Sequence, residues 1–488
     1  MATEIKSLSP NLVWNYFYQL TQIPRPTGHT AAVALHVEKF GKQLGLETLR
    51  DQVGNVLIRK PATAGMESAK PVILQAHLDM VPQKNASVKH DFLTDPIDAY
   101  VDGDWVKARE TTLGADNGIG VALAMATLAD KALKHGPIEA LFTIDEEVGM
   151  DGAFGLKPDF LQGRTLINCD SEEEGQLFVG CAGGADLNIS LQYKDDTEVP
   201  SGDMAVRLSL SGLKGGHSGV DIHLGRANAN KLLFRFLKAA VSGYGARLSE
   251  VAGGDLRNAI PREATALITI PASNADLLWE AVSDYQEMFR TDYAGIEDRI
   301  YFAAEKVYLP KTLIPEEIQD DLINAVEACQ NGVISMLNDF PGTVESSSNL
   351  AVVKSEPGRL DLKILVRSSS ESRKEWVCSS LESVFSLAGA KVEMSGGYNG
   401  WQPDIHSPLL QLMEKTYQDL YGKNPAVKVM HAGLECGIIQ GIYPDMDMVS
   451  IGPDLQHPHS PDERVSISSV EKVWKFLCTT LERMTKLA

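Results

Sequence analysis

Residues 71–81 read PVILQAHLDMV, residues 117–130 read NGIGVALAMATLAD, and residues 137–145 read PIEALFTID. The first and third are short apolar runs bounded by proline, each the length of a buried strand. The middle run is longer and rich in alanine, and it suits a helix. TLINCD at 165–170 adds another short strand. Strand, helix and strand in alternation predict an α/β fold, with a central mostly parallel sheet flanked by helices.

Working outward, Ser9-Pro10 opens a helix over LVWNYFYQLTQI, and HTAAVALHVEKFGKQLG forms a second that Gly45 ends. After about residue 185 the rhythm changes. MAVRLSLSGL alternates as a strand, ANANKLLFRFLKAAV reads as a helix, and REATALITIP and DRIYFAAEKV are strands around the helix ADLLWEAVSDYQEMF. A similar order follows in EEIQDDLINAVEACQ, SNLAVVKS, LDLKILVRSS, EWVCSSLESVFSLAG and AKVEMSGG. The recurrence predicts an inserted α+β domain, internally duplicated. The chain then returns to helix and strand signals and closes on EKVWKFLCTTLERMTKL. The expected division is 1–185 and 401–488 for the first domain and 186–400 for the insertion.

A chain of 488 residues exceeds what one core supports. A formal net charge of -20 argues against nucleic acid or an anionic membrane as the main partner. There is no apolar run of membrane-spanning length, and MATEIKSLSP lacks the core of a signal peptide. The six cysteines show no paired spacing and read as buried thiols, which suits a reducing cytoplasm.

Chemistry gathers at the predicted strand ends. His77 and Asp79 lie two apart, on one side of a strand. Asp116 sits in the glycine-flanked loop TTLGADNGIG, just before a helix. Asp145, Glu146 and Glu147 follow the strand LFT, and Asp170 ends LINCD. His457 and His459 fall in GPDLQHPHSPDE. Singly, each has a plain reading: a hydrogen-bonded strand histidine, a helix cap, a solvated acidic loop. Together they lie where open α/β sheets collect ligands, beyond the carboxyl ends of strands. Two imidazoles and three carboxylates suit two divalent zinc-like ions, one carboxylate bridging them. Such a charge would let three consecutive acids crowd together, one Glu binding metal while its neighbour reaches an activated water.

HLD, GADNG, DEEVG and PHSPDE, with INCDSEEEG, GLKGGHSG, RNAIPREA and HAGLECG, resemble the signature of the dinuclear zinc metallopeptidase family that includes aminoacylases and carnosinases. The resemblance runs over nearly the whole chain. It implies that Asp116 bridges two metal ions, that His77 and Asp170 complete one, and that Glu147 and His459 complete the other. Glu146 would be the general base and Asp79 the residue orienting His77. His459 is selected over His457. In the inserted domain, which resembles the family's lid, His217 would help hold an oxyanion. Asn258 and Arg367 would take the substrate's terminal carboxylate, while Glu435 would pair with its free amine and His223 would line the cleft.

The activity implied is metal-dependent hydrolysis of dipeptides, with histidine preferred at the C-terminal position. Water is the nucleophile, and Glu146 passes its proton to the leaving amine. Zinc is the expected metal, with cobalt and manganese as alternatives, and a cytoplasmic homodimer is the expected state. An N-acyl amino acid deacylase or a carboxypeptidase would share this chemistry. A non-catalytic binding protein would have lost a ligand or the base, and none is missing.

Overall fold

The computed structural model describes residues 2–487. The chain divides into two compact units. One comprises Met1–Gly180, Trp401–Val429 and Leu434–Ala488; the other comprises Cys181–Gly400 and Met430–Gly433.

The first unit is built on an eight-stranded sheet. At its centre Ile138–Thr143, Val72–His77, Thr165–Asn168 and Asp447–Ser450 lie side by side and parallel. The first three are buried at every position, so they read as mostly apolar runs rather than as alternation. On one flank, Val56–Lys60 and Glu47–Arg50 add antiparallel. The helix Ala115–Ala129 packs against Val72–His77, and the helix Asn11–Thr21 packs on it in turn. Its alanines and glycines bring it close to the sheet: a Cβ at Gly120 would overlap the Asn117 side chain and the Cys169 carbonyl. Trp14 and Phe17, both fully buried, meet edge to face at 5.8 Å beneath it.

A second, four-stranded sheet in this unit runs Leu455–Gln456, Arg464–Ser466, Trp105–Ala108, Ala99–Asp102. Leu455–Gln456 pairs with Arg464–Ser466 across a loop of residues 457–463. PHSPDE is therefore held at both ends by strand pairing.

The second unit carries a nine-stranded sheet in which every pairing found is antiparallel. Its helices bury Phe234, Phe236, Phe289 and Phe385 in a separate core. The sheet includes Gly183–Gln192, GGADLNISLQ, which pairs with Arg359–Ser368 over ten residues. Its two glycines and its polar Asp186, Asn188 and Ser190 hide a strand whose other face, Ala185, Leu187, Ile189 and Leu191, is buried. The unit accordingly begins at Cys181. Duplication of its halves rests on element order alone.

Candidate metal centre

The four central strands end on one edge of the first sheet, and the candidate ligands gather there. His77 is the last residue of its strand, and Glu146 and Glu147 follow Ile138–Thr143. Asp170 follows Thr165–Asn168, and Asp447–Ser450 leads into the loop that carries His459. Asp116 arrives from the start of the helix.

Asp116 lies at the middle of this arrangement. Its Oδ1 is 3.1 Å from His77 Nε2, and its Oδ2 is 3.2 Å from His459 Nε2. Each imidazole has a second carboxylate: Asp170 Oδ1 lies 3.3 Å from His77 Nε2, and Glu147 Oε2 lies 3.0 Å from His459 Nε2. Within each of the sets His77, Asp116, Asp170 and Asp116, Glu147, His459, the ligand atoms lie within 4.8 Å of one another. His77, Glu146 and Glu147 form a third such set. His457 is exposed and belongs to none of the three.

Asp79 ties this edge together. It is fully buried, and its Oδ1 lies 3.3 Å from His77 Nδ1, which turns Nε2 toward Asp116. The same carboxylate accepts the backbone N–H groups of Glu146 and Glu147 at 3.0 and 3.2 Å and the Thr27 hydroxyl at 2.9 Å. Burial works to raise the Asp79 pKa, but His77 and these amides hold it down at about 2. Asp145, first of the three acids, turns aside with φ 51° and accepts the Gly28 N–H at 2.7 Å.

The remaining electrostatics are those of acids crowded out of water. Burial drives Glu146 well above the ordinary carboxylate range, with Asp170, Glu435 and Glu147 adding to it. Burial also lifts Asp170 to about 6 and Glu172, beside it, to about 8. Burial would lower the His77 pKa, yet Asp170, Asp116 and Asp79 carry it well above an ordinary imidazole. Hydrogen bonds to Asp116 and Glu147 take His459 to about 11. Glu147 Oε1 is buried with no hydrogen-bond partner. Clustered carboxylates, an orphaned oxygen and two imidazole nitrogens fit divalent cations, which would supply the missing positive charge. A cavity of about 470 Å³ in the same unit, lined by Lys70, Arg164, Trp401 and Asp404 among others, contains none of these ligands.

Glu435 is fully buried. One carboxylate oxygen, Oε2, accepts from Gln75 at 2.6 Å and Thr143 at 2.8 Å, whereas Oε1 has no partner. The other expected substrate residues lie in the second unit. Arg367 is 6 % exposed, donates to the Tyr398 hydroxyl at 3.0 Å and the Ser218 hydroxyl at 3.4 Å, and has no carboxylate at ion-pair distance among the described residues. His217 Nδ1 accepts the N–H groups of Gly219 and Val220 at 3.2 and 3.0 Å, so the neutral ring carries its proton on Nε2. Burial, then Arg367, lowers its pKa and favours that neutral form. Gly219 is the point where these groups meet: a Cβ there would lie 3.2 Å from both Arg367 Nε and His217 Cε1. Asn258 is exposed, and its carbonyl accepts the Ser218 N–H at 2.8 Å. His223 is exposed in the short turn Ile222–Leu224, apart from these bonds.

Sequence reasoning missed several members. Tyr398, Ser218, Ser347 and His431 surround Arg367 or its neighbours, His431 Nε2 lying 2.7 Å from the Ser347 hydroxyl. Arg25 and Glu463 brace the Asp116 loop. Glu463 lay in the quoted PHSPDE, and its buried acid could have been questioned there. Arg25, in IPRPTG, carries no such signal.

Imidazoles and acids gathered at the carboxyl edge of a parallel sheet define a metal-dependent hydrolase as the class this unit fits. The chain belongs to peptidase family M20/M25/M40, whose family model matches residues 73–483. It is 49% identical over 482 residues, 99% of each chain, to the cytosol non-specific dipeptidase of Escherichia coli strain K12. The structure of aminoacylhistidine dipeptidase from Vibrio alginolyticus matches with a TM-score of 0.93 and 47% identity, over 98% of this chain and 97% of that one. Aminopeptidase PepT of Bacillus cereus shares the fold at a TM-score of 0.57 and 15% identity, over 98% and 99%. Among the described residues no helix is long and apolar enough to cross a membrane.

Proposed function

We propose that the protein is a cytoplasmic metallodipeptidase that uses two divalent cations, zinc foremost, with Xaa-His dipeptides among its substrates. One observation carries the reading: both oxygens of Asp116 are engaged, each toward a different histidine, and each histidine has its own second carboxylate. The relatives' names support the substrate class. One names a preference for C-terminal histidine and the other none, so a broad dipeptidase that accepts Xaa-His fits both.

In this reading Asp116 is shared by two cations, with His77 and Asp170 on one side and Glu147 and His459 on the other. When bound, the ions polarise the scissile carbonyl and lower the pKa of the attacking water. Glu146 takes the proton from that water. Its carboxyl, raised by burial and by neighbouring acids, then returns the proton to the departing amine. Asp79 holds His77 by Nδ1 and the Glu146 backbone by its amide, so the ligand and the base keep a fixed relation. Glu435 Oε1, unclaimed within the protein, is the proposed partner of the substrate's ammonium. Arg367, a buried guanidinium that donates to two hydroxyls and has no carboxylate at ion-pair distance among the described residues, is the proposed partner of a substrate carboxylate, with Asn258 and His223 beside it in role. His217 presents Nε2–H as the oxyanion donor.

The test is a panel on purified, zinc-supplied protein: an Xaa-His dipeptide, a dipeptide lacking histidine, a tripeptide and an acetylated amino acid. Hydrolysis confined to the dipeptides is expected. Preferential hydrolysis of the acetylated compound would instead make the protein a deacylase.

A further inference from the structure

We infer that Glu463 is the positioning residue for Asp116, the carboxylate shared by both candidate cation sites; the inference rests on the two-cation reading above. Asp116 stands where an acid ordinarily folds back to satisfy the free N–H groups at a helix start. It does not do so, because both its oxygens point to His77 and His459. The regular helix is capped instead by Asn117, whose Oδ1 accepts the Gly120 N–H at 3.1 Å. Four successive N–H groups upstream are left over, and all four converge on one buried carboxylate. Glu463 Oε2 accepts from Leu113 at 2.7 Å and Gly114 at 2.9 Å, and its Oε1 from Ala115 at 2.7 Å and Asp116 at 3.2 Å.

The carbonyl side of the same loop is held by Arg25, also buried. Its guanidinium donates to the Gly114 carbonyl and, at 2.9 Å each, to the carbonyls of Leu78 and Asp79. The loop bearing Asp116 is thereby tied to the residues that follow His77. Glu463 itself enters four residues after His459, on the loop between two paired strands. One carboxylate thus links the segment carrying one histidine to the ligand both histidines share. Two acceptor oxygens are needed for four donors. An amide at this position would turn an NH2 group toward two of the N–H groups, so charge and shape both require glutamate.

The experiment compares metal-stripped parent protein with Glu463→Gln, titrating Co²⁺ and following both heat and visible absorption. As a control, Glu139→Gln alters another buried carboxylate that accepts two backbone N–H groups, from Gln162 and Gly163, and stands apart from the cation ligands. Loss of an orienting partner should weaken Co²⁺ binding by ~10- to 100-fold in Glu463→Gln, with an altered ligand-field spectrum. Glu139→Gln should lower Tm and leave Co²⁺ affinity as in the parent. Glu463→Asp keeps the charge but is shorter by a methylene, and it serves if the glutamine variant does not fold. It should bind Co²⁺ more weakly than the parent while folded. Parent-like affinity and spectrum in a folded Glu463 variant would overturn the inference, as would equal loss in the Glu139 control. A parent that loses cobalt on substitution yet cleaves no dipeptide would refute the dipeptidase reading and leave this one standing.

Discussion

Glu146 and Glu147 are adjacent and alike, and their surroundings differ. Glu147 is drawn to His459, and Glu146 is left with its carboxyl pushed up by burial and by its neighbours. A proton acceptor must hold its proton long enough to deliver it, and a raised carboxyl pKa serves that purpose. Glu146→Gln keeps the size and removes the base. It should lower kcat by ~10²- to 10⁴-fold while leaving bound metal, measured by elemental analysis, at the parent level. Turnover within a few-fold of the parent would remove Glu146 from the mechanism.

Among the elements, His77, Glu146, Glu147 and Asp170 were legible because each stands at or just after the end of a short, mostly apolar strand, whereas Asp116 and His459 come from glycine- and proline-marked loops. Val72–His77, Ile138–Thr143 and Thr165–Asn168 need no partner to be recognised as buried strands, and their ends announce the site. Strands with mixed faces were harder to see. Trp105–Ala108 and Gly183–Gln192 pair with strands distant in sequence, Arg464–Ser466 for the first and Arg359–Ser368 and Lys391–Tyr398 for the second, so local pattern understates them. The same limit hid Arg25 and Glu463. Each acts through backbone groups some 50 to 350 positions away, at Leu78 and Gly114 for the first and at residues 113–116 for the second. Backbone amides leave no mark in a sequence. The family resemblance supplied roles for His217 and Arg367, whereas Tyr398 and Ser218 became visible only once the second unit's sheet and loops were assembled.

At the scale of the molecule, buried acids make stability depend on pH and on metal. Glu435 and Glu172 are raised to about 8, each chiefly by burial. A carboxyl whose pKa is higher folded than unfolded binds its proton more tightly in the native state. Its stabilisation is complete below the unfolded pKa of about 4.5 and is lost as pH rises through the folded value. The Tm of metal-free protein should therefore fall between roughly pH 5 and pH 8.5, and added zinc should raise Tm most at the alkaline end. A metal-free Tm that is flat or rising across that window would mean these carboxyls are not held protonated.

In the proposed reading, two cations sharing Asp116 make this chain a dipeptidase. Zinc titrated into chelator-stripped protein, with hydrolysis of a dipeptide ending in histidine as the readout, tests it most directly. Activity should be absent without metal and should level off at two zinc ions per chain. Hydrolysis that persists in stripped protein, or none at any zinc loading, would contradict it.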